Sequence, residues 1–200
     1  MFYFVTITAA TLLISLFHFL LDGGCGIAAF GMQLLLTTLG VAAVIAIDGL
    51  FAFVIRRMPE RYFAPESRLF SVGKGEINFY RRTCINVWKK HVPEWGCFTG
   101  CHKDRLRSSD DSAYLGRFLL ESNYGVAGHL AGAIFGYLIL LLPFLSPLSV
   151  ALPIAVINMI LSLLPTAILR YNTPALQRLY RRNLERERAK DMAQSQTVHQ

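Results

Sequence analysis

The sequence predicts an all-α integral membrane protein, with about four transmembrane helices in two hairpins plus cytosolic amphipathic helices. The 200 residues are 54% hydrophobic and only 16% charged, whereas a soluble domain carries about a quarter charged residues. Four long apolar stretches each approach the roughly 20 residues that a helix needs to cross a bilayer. All Lys and Arg residues lie between or after the two pairs of stretches. The chain is therefore interpreted as four parts: an N-terminal transmembrane hairpin (1–55), a cytosolic or interfacial helical segment (56–120), a C-terminal transmembrane hairpin with polar motifs (121–176) and a basic, partly disordered tail (177–200).

The first hairpin is predicted from the apolar stretches Phe2–Leu21 and 33–55, which are separated by a glycine-rich turn. No Lys or Arg precedes the first stretch and no small-residue cleavage site follows it. We therefore interpret it as a retained helix, with a cleaved signal peptide as the alternative. Asp48 lies well inside the second stretch, where it either hydrogen-bonds within the bundle or bears on function.

The central segment contains a second kind of helix. The pattern EINFYRRTCINVWKKH at Glu76–His91 places apolar residues on one helical stripe, namely Ile77, Tyr80, Cys84, Val87 and Trp88. Four basic residues lie off that stripe: Arg81, Arg82, Lys89 and Lys90. This pattern favours a helix in the headgroup plane, with a soluble helix packed under the bundle as the alternative.

The second hairpin is predicted from residues 125–147 and 150–169, with prolines at the turn. A further helix is expected to begin near Ser112, after possible caps at 109–111, and to run into the third span. The last residues, 191–200, have the composition of a disordered segment.

The charge distribution predicts the topology. Thirteen Lys and Arg residues lie between Arg56 and Arg117 and the other seven between Arg170 and Lys190. Positively charged loops stay in the cytosol, so we expect a multi-pass protein of the cell (plasma) membrane with both termini and the central segment cytosolic. The basic residues flank membrane spans, which favours membrane lipid or an anionic cosubstrate as partner and argues against nucleic acid. The oligomeric state is not determined by the sequence.

Polar residues gather at the predicted cytosolic ends of the third and fourth spans. Glu121 and His129 are eight residues apart, which is about 12 Å of helical rise. Counting outward from the second turn places Asn172 within about 8 Å of the depth of His129, so these groups are expected to border one inner-leaflet site. For His129 the alternative is an interfacial histidine bonded to a backbone carbonyl, and for Arg170 a snorkelling charge.

Other chemistries have little support in the sequence. Cys97, Cys101 and His102, with Cys84 as a fourth ligand, match no established zinc spacing, so no metal site is predicted. The four cysteines form no disulfide framework. The Walker loop, GxSxG and a GxGxxG in strand–helix context are all absent. An enzyme of this sequence would be membrane-embedded, without a tightly bound cofactor.

Several motifs in order carry a family resemblance: RMPERYF at 57–63, EINFYRRTCINVWKKHVPE at 76–94, Glu121 with His129, and RYNTPAL at 170–176. The set resembles the glycosyl-4,4'-diaponeurosporenoate acyltransferases of staphyloxanthin-type carotenoid synthesis over roughly residues 56–178. Thr173 and Ala175 stand where the family has arginines, and Val126 stands where it has an acidic residue. These departures bear on the acceptor more than on the fold, and relatives of this kind are compatible with other lipid acceptors.

The resemblance implies transfer of a fatty acyl group from acyl-CoA, or a similar donor, onto a sugar hydroxyl of a membrane carotenoid glucoside or related lipid. His129 would be the general base and Glu121 would orient it, while Arg170 and Asn172 would donate hydrogen bonds to the oxyanion. The donor phosphates or lipid headgroups would be held by four basic residues, Arg81, Arg82, Lys89 and Lys90.

Two other functions stay open at this stage. One is a membrane methyltransferase or reductase resembling isoprenylcysteine methyltransferase or steroid reductase, which also places polar motifs after its last spans. The other is a non-enzymatic scaffold that binds lipid or a partner through its basic face.

Overall fold

The computed structural model describes residues 2–92 and 110–198, and within them it contains helices and no strands. Six α-helices follow in order: α1 (Phe2–Leu21), α2 (Ile27–Arg56), α3 (Lys74–Arg82), α4 (Ile85–Trp88), α5 (Ser112–Phe135) and α6 (Leu152–Val198). Short 3-10 turns occupy Glu60–Tyr62 and Arg68–Phe70. Four helical stretches are long and apolar enough to span a membrane, which confirms the predicted fold class.

Two helices run further than their apolar stretches. α5 begins at Ser112, where the Asp111 carboxylate accepts hydrogen bonds from the backbone N–H groups of Ala113 (2.9 Å) and Tyr114 (3.1 Å). A carboxylate in this position satisfies N–H groups that have no partner inside the helix. As predicted, the helix continues without a break into the third span. α6 continues through the basic tail to Val198, so the part predicted to be partly disordered is helical to that residue.

Residues 2–57, 91–92 and 127–166 form one compact unit, here called the hairpin unit. Its hydrophobic core consists of eight buried residues: Ile14, Val44, Ile139, Leu145, Val150, Ala151, Ile154 and Ala155. The turn after α1 places Gly23 and Gly26 at φ 63° and 91°, a region that side chains rarely adopt. This explains the glycine-rich turn between the first two spans.

Two glycines of the hairpin unit lie where α5 and the turn after it approach α2 and α6: Gly132 in α5, and Gly136 at the start of the 3-10 helix Gly136–Leu141. Each has a polar side chain of a neighbouring helix close to its Cα. A Cβ on Gly132 would lie 2.9 Å from Oδ1 of Asp48, and one on Gly136 would lie 2.6 Å from Nδ2 of Asn158. Small residues therefore let the helices approach closely enough for these polar side chains to meet.

Residues 58–90, 110–126 and 167–198 form the second compact unit, here called the motif unit. In it the start of α5 runs beside the end of α6. The Ser112 hydroxyl donates a hydrogen bond to the Glu187 carboxylate, and a Cβ on Gly116 would lie 3.2 Å from the Tyr180 ring. The segment before α3 is attached by the Asn123 amide, whose Nδ2 donates to the carbonyls of Phe63 (2.9 Å) and Ala64 (3.3 Å).

Candidate functional site

In the motif unit, a part-buried ion pair joins α6 to α3. The Arg170 guanidinium donates from Nε to Oε1 of Glu76 (2.5 Å) and from Nη2 to Oε2 (2.7 Å). Nη2 also donates to the carbonyl of Ser71 at 3.3 Å. The two side chains are only 19% and 27% exposed. A bidentate pair of this kind fixes orientation as well as supplying electrostatic attraction.

Tyr80 extends this pair along α3. Its hydroxyl donates to Oε1 of Glu76 at 2.7 Å, one helical turn away. The hydrogen bond from Arg170 lowers the pKa of Glu76 below its ordinary value, against the opposing effect of burial. Burial, followed by the hydrogen bond to the Glu76 carboxylate, raises the pKa of Tyr80 to about 12. The carboxylate therefore stays ionised and the phenol stays protonated around neutral pH.

Tyr171 connects the same part of α6 to α4. Its hydroxyl accepts a hydrogen bond from Nδ2 of Asn86 (3.2 Å), and Nζ of Lys89 lies 5.3 Å from the centre of its ring. The ring of Tyr80 meets Tyr171 edge-on at 6.4 Å. Two consecutive residues of α6 thus hold α3 and α4, respectively.

The predicted single helix at Glu76–His91 is wrong, because the chain turns at Cys84. Cys84 adopts the left-handed conformation (φ 53°, ψ 39°) between α3 and α4. The indole Nε1 of Trp88 donates to the carbonyl of Thr83 at 2.9 Å, which satisfies a group left open where α3 ends.

The turn also changes which residues are buried. Ile85, which lay off the predicted stripe, is fully buried, whereas Val87 on the stripe is 67% exposed. Arg81, Arg82 and Lys90 are exposed, and Lys89 is half-buried against Tyr171. Three of the four predicted phosphate-binding residues are therefore open to an anionic partner.

The remaining site residues predicted in the motif unit are Glu121 and Asn172. Oε1 of Glu121 lies 3.1 Å from Nη2 of Arg117, one turn earlier on α5, and the side chain is 21% exposed. Asn172 is half-buried, and its amide makes no hydrogen bond to the described residues. Glu121 is thus held in an ion pair, while the Asn172 amide keeps its hydrogen-bonding groups available.

His129 belongs to the hairpin unit rather than the motif unit. It is half-buried, and its imidazole makes no hydrogen bond to any residue in the described ranges. Among the described residues, no backbone carbonyl accepts a hydrogen bond from His129, which was the alternative considered for this residue. Glu121 and His129 share the continuous helix α5, with the spacing expected from the sequence.

The hairpin unit also contains the polar group that the sequence left unassigned. Nδ2 of Asn158 on α6 donates to Oδ1 of Asp48 on α2 and to the carbonyl of Gly132 on α5, both at 3.2 Å. One amide therefore joins three helices. Asp48 hydrogen-bonds within the bundle, the first of the two alternatives considered for it.

No cluster that could hold a metal ion occurs among residues 2–92 and 110–198. Cys97, Cys101 and His102 lie outside the described residues, and Cys84 is an exposed free thiol. The sequence interpretation missed the role of Glu76. Its signal was present, since Glu76 is the lone acidic residue in α3 and precedes Tyr80 by one turn.

Comparisons with known proteins identify one family. Residues 59–182, more than half of the chain, match the family described as glycosyl-4,4'-diaponeurosporenoate acyltransferase. This range contains α3, α4 and α5, together with Glu76, His129 and Arg170. Curated proteins and solved structures give no match.

Proposed function

The chain belongs to the glycosyl-4,4'-diaponeurosporenoate acyltransferase family, and from this premise we propose that it transfers a fatty acyl group onto a hydroxyl of a glycosylated carotenoid or a related lipid. The observation that carries the proposal is the family match over residues 59–182, which includes Glu121, His129, Arg170 and Asn172. The four apolar helices agree with a substrate that resides in the membrane.

His129 is the proposed general base. Its imidazole makes no hydrogen bond to the described residues, so a ring nitrogen is available to accept a proton. The acceptor hydroxyl loses its proton to the imidazole while its oxygen attacks the thioester carbonyl. When the tetrahedral intermediate collapses, the carbon–sulfur bond breaks and the departing thiolate takes the proton back. The net reaction yields an ester and a free thiol, and needs no oxidant or reductant.

Asn172 is the proposed hydrogen-bond donor to the oxyanion, because its half-buried amide has no other partner in the described ranges. Glu121 is proposed to orient the polar groups around the acceptor through its ion pair with Arg117. Arg170 is proposed to hold α3 in position, because two of its nitrogens donate hydrogen bonds to the Glu76 carboxylate.

The donor is proposed to be acyl-CoA or a similar anionic thioester, with no tightly bound cofactor. The exposed Arg81, Arg82 and Lys90 would attract the phosphates of the donor. Lys89, whose ammonium lies over the ring of Tyr171, would contribute a fourth positive charge. Replacing the four basic residues with Gln should raise KM for the donor and leave kcat largely intact.

Radiolabelled acyl-CoA and a glucosyl carotenoid, supplied to membranes that contain the protein, test the proposal directly. The wild type should form a labelled ester, and His129→Gln should lose about 10²–10⁴-fold in turnover because glutamine cannot take up the proton. His18→Gln is the matched control, since that histidine contacts Ser149 in the hairpin unit and has no part in the proposed chemistry.

Near-normal turnover in His129→Gln would remove the general-base role. Failure of the wild type to form ester with any lipid acceptor, together with binding of S-adenosylmethionine or NADPH, would replace acyl transfer with the methyltransferase or reductase alternative.

A further inference from the structure

Arg170 and Glu76 are 94 residues apart in the sequence, yet they form a bidentate ion pair that is mostly shielded from solvent. We infer that this pair is a positioning device, which holds the α3–α4 segment on α6 and so presents the basic residues that bind an anionic acyl donor. The inference rests on the proposed function for its ligand, but its structural part stands on the contacts alone.

The contacts assign the two halves of the segment to neighbouring residues of α6. Arg170 holds α3 through Glu76 and the carbonyl of Ser71, whereas Tyr171 holds α4 through Asn86. Glu76 is the lone carboxylate in α3, which otherwise carries Lys74, Arg81 and Arg82. Without that carboxylate, α3 would present only positive charge to Arg170, and the two would repel each other.

The geometry commits most of the Arg170 donors to contacts that hold the segment. Its Nε–H and Nη2–H groups point at Glu76, and Nη2 reaches the Ser71 carbonyl as well. An oxyanion hole needs donors aimed at the reacting oxygen before the reaction begins. Three of the five guanidinium N–H groups are committed to Glu76 and Ser71, which leaves the two on Nη1 for any other acceptor. The kinetics below separate a positioning role from a donor role.

The exposed basic residues depend on this attachment. Arg81 and Arg82 form the last turn of α3, and the chain reverses directly after them at Cys84. Their direction is therefore set by how α3 is held, and α3 is held through Glu76. Loss of the pair should weaken donor binding and leave the chemical step unchanged.

Kinetics of three variants test the inference in the intact protein: Glu76→Gln, Arg170→Gln and the double variant. Each single variant should raise KM for acyl-CoA about tenfold, the equilibrium effect of losing one charge-assisted hydrogen bond, with kcat unchanged. Because both changes break the same ion pair, the double variant should be no worse than Arg170→Gln alone, which also loses the hydrogen bond to the Ser71 carbonyl. Glu66→Gln is the matched control, since it breaks a longer and more exposed pair (3.8 Å to Arg181) in the same unit.

The opposite pattern would overturn the inference. A loss of kcat in Arg170→Gln with normal kinetics in Glu76→Gln would make Arg170 a catalytic donor. Multiplied effects in the double variant would show that the two residues act separately.

A second measurement does not depend on enzyme activity. Cys84 is exposed and lies directly after α3, so a nitroxide attached to it in full-length protein, with the other three cysteines changed to Ser, reports how firmly the segment is held. The label should become more mobile in Glu76→Gln and Arg170→Gln but not in Glu66→Gln, and unchanged mobility in the first two would refute the positioning role. If the wild type transfers no acyl group, only the proposed function fails, and the label still decides whether the pair positions the segment.

Discussion

Replacing Gly132 with alanine tests whether close approach of three helices depends on a missing side chain. The new Cβ would lie 2.9 Å from Oδ1 of Asp48, so the carboxylate must shift, which disturbs the 3.2 Å hydrogen bond that Oδ1 accepts from Nδ2 of Asn158. Overpacking of a well-packed interior costs about 1–3 kcal/mol. The lost interhelical hydrogen bond adds about 0.6 kcal/mol in a membrane protein. The sum, about 2–4 kcal/mol, corresponds to a fall in Tm of very roughly 4–16 °C for a chain of this size.

Thermal unfolding of the purified protein in detergent, followed by the loss of the monodisperse peak, measures this effect. Gly49→Ala is the control, because it lies in the neighbouring span α2 with nothing within 4 Å of the added Cβ. In an Asp48→Ala background, which removes the clashing oxygen, Gly132→Ala should be far less harmful. Equal Tm values for Gly132→Ala and Gly49→Ala would refute the explanation given for Gly132.

Three further predictions concern topology, pH dependence and packing. An impermeant thiol reagent should modify Cys25 in intact cells and spare Cys97, because every Lys and Arg lies in the segments proposed to be cytosolic; labelling of Cys97 from outside would reverse the orientation. The hydrogen bond from Arg170 lowers the pKa of Glu76 from its ordinary value of 4.5, so the ion pair is lost only when the pH falls below that value. The mobility of a nitroxide at Cys84 should therefore be constant above pH 4.5 and rise at lower pH. An increase that begins well above pH 4.5 would contradict this sign. Asn123→Ala should destabilise the protein by about 1–3 kcal/mol, since it leaves two carbonyl groups without the amide donor, and an unchanged Tm would show that the loop finds other partners.

The parts of the fold that the sequence predicted correctly are those governed by local composition. An apolar stretch of about 20 residues has one stable arrangement across a bilayer, because unpaired backbone groups are too costly in hydrocarbon. The start of α5 was likewise expected, since Asp111 supplies a cap next to the first helical residue. The helical tail was not expected, because a charged segment has no apolar pattern of its own. It continues α6, and Ser112 hydrogen-bonds to Glu187 within it.

The sequence by itself determined the fold class, the approximate positions of the spans and the motifs that mark the family, because each depends on residue type and order alone. Only the tertiary structure decided the turn at Cys84 and the pairing of Glu76 with Arg170. Helical periodicity predicts one continuous helix over residues 76–91. In the structure the chain turns at Cys84, and the carbonyl of Thr83 accepts a hydrogen bond from the Trp88 indole. A bidentate pair between distant residues leaves no periodic signal, since it requires the chain to return to the same place. The proposal that Arg170 is a positioning residue rests on this pairing, which the sequence did not show.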